Sequence, residues 1–162
     1  MTTRRQLLQL TALGALTSRR AFATSLSEAE TRTLDAATSR ILPSEDGPGA
    51  REAKVIRFID AQLAGPLAQL LPAMQQGALM LDRYSQLLYK TPFADASAEQ
   101  QDRILVELSR GKIPVRSFPQ EAWFAALHNL TLEGFLSDPA HGGNAGEIGW
   151  RSIGFAYGKH RH

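Results

Sequence analysis

Along most of the chain apolar residues recur every three or four positions, the period of a helix that buries one face. The first such stretch opens with Ser27-Glu28-Ala29-Glu30, a capping box in which a hydroxyl and a carboxylate satisfy free backbone N–H groups. Leu34, Ala37, Thr38 and Ile41 then share a face until Pro43 ends the helix. Turn residues fill Pro43 to Gly49. A second amphipathic helix is predicted over Arg51 to Leu63, with Val55, Ile56, Ile59 and Leu63 in phase and Gly65-Pro66 closing it. Leu67, Leu71, Met74, Ala78, Leu81, Ser85 and Leu88 alternate by four and three, the seam of a bundle helix, and core packing is the preferred reading over a partner-binding face. Pro72 places the start of that helix at Leu71 or kinks it there.

Ser97-Ala98-Glu99-Gln100 caps a fourth helix reaching Arg110, with Ile104, Leu105 and Leu108 inward and Gly111 beyond its end. Ile113-Pro114-Val115 suits extended chain. A fifth helix is predicted from Pro119 to Leu136, its face formed by Trp123, Leu127, Leu130 and Gly134 and widened by Phe124 and Phe135. No useful length of strand alternation occurs. The pattern therefore predicts an all-α fold, a small bundle of about five helices. After Asp138-Pro139 comes an irregular packed segment in which Gly142, Gly143, Gly146, Gly149 and Gly154 are interleaved with large aromatics.

The first residues follow another pattern. Arg4-Arg5 precedes a modest apolar run from Leu7 to Leu16, and Ala21-Phe22-Ala23 fits the small-x-small rule for signal cleavage, with Ala21 and Ala23 as its small positions. A helix over that run spans roughly 15 Å, about half a bilayer's hydrocarbon core, so it is a signal and not an anchor. Thr3-Arg4-Arg5-Gln6-Leu7-Leu8 reads as a twin-arginine motif, with Arg4, Arg5, Leu7 and Leu8 as its recognised positions. Gln9, Thr11 and Gly14 dilute the apolar run, and Arg19-Arg20 place positive charge near the cleavage point, features that disfavour the general secretory route. Residues 1–23 are thus expected to be a cleavable twin-arginine signal and residues 24–162 a single helical domain.

That division changes the meaning of the charge. The formal +2 of the whole chain includes Arg4, Arg5, Arg19 and Arg20; without them 14 Lys and Arg face 16 Asp and Glu, a net of −2. A slightly acidic domain argues against a nucleic-acid partner, which calls for a retained basic stripe. Only Lys159-His160-Arg161-His162 is locally basic. The absence of cysteine rules out disulfides, thiolate metal ligands, thioether-attached haem and a cysteine nucleophile in this chain.

Candidate chemistry is sparse. His128 and Glu133 are five apart, which does not reproduce the paired-histidine spacing of a helical zinc site, and His141 lies in the glycine-rich loop. His160 and His162 belong to the basic tail. Gly142-Gly143-Asn144-Ala145-Gly146 has the glycines of a phosphate loop but neither the following Lys-Ser/Thr nor a preceding strand. Glu45-Asp46 and Glu133 with Asp138 are carboxylates whose simplest role is solvation or capping. No catalytic, cofactor-binding or metal-binding residue is assigned. Trp150, Ile153, Phe155 and Tyr157 are large anchors on a flexible glycine-containing segment, the residue types that dominate interface hot spots; they either fold back on the domain's own core or meet a partner, and both roles are compatible.

Two long strings carry a family resemblance. Leu34-Asp35, then Ile41-Leu42-Pro43-Ser44-Glu45-Asp46-Gly47-Pro48-Gly49-Ala50-Arg51-Glu52-Ala53, Val55-Ile56 and Phe58-Ile59-Asp60 resemble the N-terminal signature of the gluconate 2-dehydrogenase subunit 3 family. Thr131-Leu132-Glu133-Gly134-Phe135-Leu136-Ser137-Asp138-Pro139, Gly142-Gly143-Asn144 and Gly149-Trp150-Arg151-Ser152-Ile153-Gly154-Phe155 are similar to its closing motif, with Ala156 where the family usually has Pro. The resemblance implies a small, non-catalytic subunit of a periplasmic dehydrogenase. Its partners would be a large glucose-methanol-choline-type chain carrying FAD and a multihaem cytochrome c that passes electrons to quinone at the inner membrane. The small subunit of such complexes bears the export signal for the twin-arginine translocase on behalf of a flavoprotein that lacks one. The expected partner surface comprises Glu133, Phe135, Asp138, Gly142, Gly143, Asn144, Trp150, Ile153, Phe155 and Tyr157. The alternative is a free-standing periplasmic binding or catalytic domain with the same fold.

Overall fold

The computed structural model describes residues 24–155. The expected signal at residues 1–23, Tyr157 and the basic tail lie outside the described residues. Six α-helices and four short 3₁₀ turns make up the described chain, with no strand among the described residues. The helices are α1 (Glu28–Ile41), α2 (Val55–Leu63), α3 (Leu71–Tyr89), α4 (Ala98–Ser109), α5 (Gln120–Leu136) and the single-turn α6 (Ile148–Ser152). No helix among the described residues is long and apolar enough to cross a membrane.

Both predicted capping boxes form. The Ser27 hydroxyl accepts from the Glu30 N–H and the Glu30 carboxylate accepts from the Ser27 N–H at 2.8 Å, and Ser97 and Gln100 repeat the exchange at the start of α4. The chain ahead of α1 is tied down as well. Asp60 on α2 accepts from the Ser25 N–H at 2.8 Å, the Ser25 hydroxyl at 2.9 Å and the Leu26 N–H at 3.0 Å.

The second helix starts four residues later than its periodicity predicts. Lys54 adopts the left-handed conformation, φ 56°, which no α-helix passes through. Residues 50–54 instead wind a tight turn in which the Ala50 N–H donates to Leu42 O and the Val55 N–H to Ala50 O, both at 2.9 Å. Ala50 and Ala53 are buried in this turn. Periodicity registers their inward side chains but not the break in the backbone that brings them there.

The core is shared by α1 to α5, with α5 packed against α2 and α4, and α1 against α2 and α3. Leu34, Ile59, Leu81, Ile104, Leu108 and Leu127 are completely enclosed, each burial stabilising the fold by about 1.5–3 kcal/mol. Trp123 of α5 lies across α3: its indole N–H donates to Ala73 O at 2.9 Å, and a Cβ at Gly77 would overlap the indole ring. Phe93, in the turn between α3 and α4, is enclosed and its backbone is held on both sides. Its N–H donates to Asp82 at 3.0 Å and its carbonyl accepts from Gln101 at 2.8 Å. Along the predicted seam of α3, Met74, Ala78, Leu81 and Ser85 are buried, whereas Leu88 is exposed because the helix outruns the core at its end.

Candidate partner interface

The last carbonyls of a helix have no partner within it and must find one elsewhere. At the end of α5 the irregular C-terminal segment supplies those partners. The Asn144 N–H donates to Gly134 O at 2.9 Å, its side-chain amide donates to Ser137 O at 2.9 Å, and the Trp150 indole donates to Leu136 O at 2.7 Å. The remaining Asn144 side-chain oxygen accepts from the Gly149 N–H at 2.8 Å, at the start of α6. Asn144 is fully buried and left-handed, φ 44°, a conformation Asn tolerates better than most residues. One side chain thus joins the end of α5 to α6.

Glycine is required where these backbones touch. A Cβ at Gly143 would overlap the Gly134 carbonyl, and one at Gly149 would overlap the Phe135 carbonyl. The same packing brings the two ends of the domain together. The Ala145 N–H donates to Ala53 O at 3.0 Å, Gly134 faces the Val55 and Phe58 side chains, and Gly142 sits against the Arg57 backbone. The two strings singled out in the sequence, almost a hundred positions apart, therefore form one structural unit around the ends of α2 and α5.

The residues expected at a partner surface divide into two groups. Phe135, Gly143, Asn144 and Trp150 are buried inside the chain and hold the segment in place, with Gly142 half-buried beside them. Their part is to build the surface. Glu133, Asp138, Ile153 and Phe155 are exposed, Asp138 accepting from the Ala140 N–H at 2.8 Å to start a turn. Ile153 is 62% exposed; Phe155 is 51% exposed and packs edge-on against the Trp150 ring at 5.5 Å. So Trp150 folds back while Ile153 and Phe155 face outward.

Leu132 and Leu136, each 40% exposed, were not singled out by sequence reasoning. With Phe58, Glu133 and Ser137 they line a shallow apolar groove of about 460 Å³ on the outer side of α5. Their signal was present in α5, where large apolar residues occur on all sides of the helix instead of in one stripe.

Other chemistry-bearing side chains stand apart. His128 is half-buried on α5 beside the Phe124 ring at 6.4 Å, and His141 is exposed at the end of a 3₁₀ turn. Glu45 and Asp46 are exposed in the loop after α1. Among the described residues no cluster of three or more His, Asp or Glu has the arrangement of a metal site. What the arrangement around α5 and α6 offers is a supported apolar surface with the Glu133 carboxylate lining its groove.

A family model described as gluconate 2-dehydrogenase subunit 3 matches residues 28–158, which includes both strings. No curated protein and no solved structure matches the chain. The family name is that of one subunit in a multisubunit dehydrogenase. On a match that spans α1 to α6, the chain belongs to the gluconate 2-dehydrogenase subunit 3 family.

Proposed function

We propose that this chain is the small, non-catalytic subunit of a periplasmic FAD-dependent dehydrogenase of gluconate 2-dehydrogenase type. In this reading it binds the large FAD-carrying subunit in the cytoplasm, favours its folded state by binding that state selectively, and takes it through the twin-arginine translocase. FAD and haem c belong to the partner chains, the flavoprotein and a multihaem cytochrome c. The match to the family over residues 28–158 carries the reading. It is supported by the outward-facing Leu132, Leu136, Ile153 and Phe155, a set of apolar side chains of the kind that marks association surfaces.

The test is to replace Arg4 and Arg5 by Lys in cells that make both chains and to follow the flavoprotein by immunoblot of cytoplasmic and periplasmic fractions. The expected result is flavoprotein retained in the cytoplasm together with this chain. Undiminished flavoprotein in the periplasm would remove the carrier role.

A further inference from the structure

The molecule has a second outward-facing apolar region, along α3. Leu79, Met80, Tyr84 and Leu87 follow one another along α3 at helical spacing, and the turn between α4 and α5 lies opposite with Val115 and Phe118. Together they enclose a groove of about 440 Å³. Leu87 is 63% exposed and Leu79 49%, well outside the α3 seam that faces the core. The opposing turn is a fixed wall: buried Gln120 accepts from the Ile113 N–H at 3.0 Å and donates to the Ile113 carbonyl at 2.8 Å.

Two arginines, Arg83 and Arg116, line this groove, and no carboxylate does. Neither arginine pairs with a carboxylate among the described residues, whereas Arg32, Arg40, Arg51 and Arg103 all do. Glu107, which accepts from the Tyr84 hydroxyl at 2.6 Å, is also engaged by Arg103 at 3.5 Å. The domain without its first 23 residues is net acidic, so two unpaired arginines around an apolar floor are a local feature with a definite complement. That complement is an apolar segment flanked by carboxylates.

Residues 1–23 and 156–162 do not have that chemistry. Residues 1–23 contain four arginines and no Asp or Glu, and residues 156–162 contain Lys159 and Arg161 and no Asp or Glu. Both ends repeat the groove's charge. A membrane surface is the other partner that combines apolar and anionic groups, but a concave groove with a fixed wall suits an inserted segment better than a flat lipid face. We infer that the groove between α3 and the 113–118 turn receives an amphipathic, acidic segment of the dehydrogenase partner, with apolar side chains on the Leu79–Leu87 floor and carboxylates on Arg83 and Arg116. The inference rests on the proposed role as a small subunit. It adds a contact region separate from the α5–α6 face.

The test uses the full chain co-expressed with the flavoprotein and compares three forms: wild type, R83E/R116E, and R83K/R116K. Affinity is measured on purified chains at low and at physiological salt, with thermal denaturation as the check on folding. The expected result is a loss on the order of tenfold for the Glu pair, near-wild-type binding for the Lys pair, and a flattened salt dependence in the Glu pair alone. Wild-type affinity in R83E/R116E overturns the groove assignment and leaves the proposed function intact if L136D/F155D still abolishes the complex. Failure of the wild-type chain to bind the flavoprotein overturns both. Binding of the wild type to vesicles of phosphatidylcholine and phosphatidylglycerol that is lost in R83E/R116E, with the complex unaffected, replaces the acidic segment by a lipid surface.

Discussion

At the end of α5 the exposed apolar residues stand on irregular backbone that Asn144 and the Trp150 indole hold in place, whereas along α3 they stand on a regular helix that needs no such support. The first face is assembled from opposite ends of the sequence and depends on close backbone contacts at Gly143 and Gly149. The second has its floor on one helix and draws its distinctness from charge, Arg83 and Arg116 without carboxylates. Backbone geometry and side-chain electrostatics thus produce two apolar faces that respond to different perturbations.

The largest effect is expected at the hinge of the first face. Asn144→Ala removes two side-chain hydrogen bonds and leaves the buried Gly149 N–H unsatisfied, a loss of about 2–4 kcal/mol that lowers the melting temperature by roughly 10 °C. Hydrogen exchange gives the sharper reading: protection at Gly149 should disappear while the α1 and α4 cores keep theirs. A smaller loss, about 1–3 kcal/mol, is expected for Gln120→Ala, which frees the two Ile113 backbone groups and loosens only the wall of the α3 groove. If Asn144→Ala and Gln120→Ala each loosened both regions, the separation between the faces would be wrong.

Tyr84 sharpens the comparison through pH. Its hydroxyl donates to the Glu107 carboxylate, and that bond, with burial and the nearby negative charge, pushes the phenol up to about 12. The folded value lies above the unfolded one of about 10, so the stability from this bond is complete below about pH 10 and is lost as pH rises through about 12. Thermal unfolding from pH 9 to 12 should show a decline that Tyr84→Phe reduces. In an ultraviolet titration Tyr84→Phe should remove a phenol that ionises at about pH 12. The smallest effect is expected at Ser85, whose buried hydroxyl has no hydrogen-bond partner among the described residues. Ser85→Ala should be neutral or stabilising by up to about 1 kcal/mol, measured by urea denaturation.

Helix existence was legible in the sequence because α1 to α4 each carry a stripe at the right period with a stop or cap, while α5 has apolar residues on all sides between Pro119 and Asp138. Ser27 and Ser97 mark their helices to the residue. The start of α2 was not, because the left-handed turn at Lys54 leaves no mark in an otherwise helical pattern. The C-terminal segment was legible as packed and irregular from its glycines and aromatics. That Asn144 and Trp150 serve the end of α5 depends on tertiary contact, and so does the exposure of Leu132 and Leu136. The α3 groove was hidden for a related reason. Its floor lies off the heptad seam, and its other wall comes from a turn some thirty positions away whose placement no local pattern encodes.

The central claim is that this chain binds a dehydrogenase subunit through the face built at α5 and α6. The most direct measurement is size-exclusion chromatography of the full chain with the co-expressed flavoprotein, comparing wild type with Leu136→Asp/Phe155→Asp. Leu136 is 40% and Phe155 51% exposed, so the variant should fold with a melting temperature lowered only slightly by loss of the Phe155 contact with the Trp150 ring. The account predicts a wild-type complex and separate elution of the variant chain. Co-elution of the folded variant at wild-type stoichiometry and affinity would contradict it.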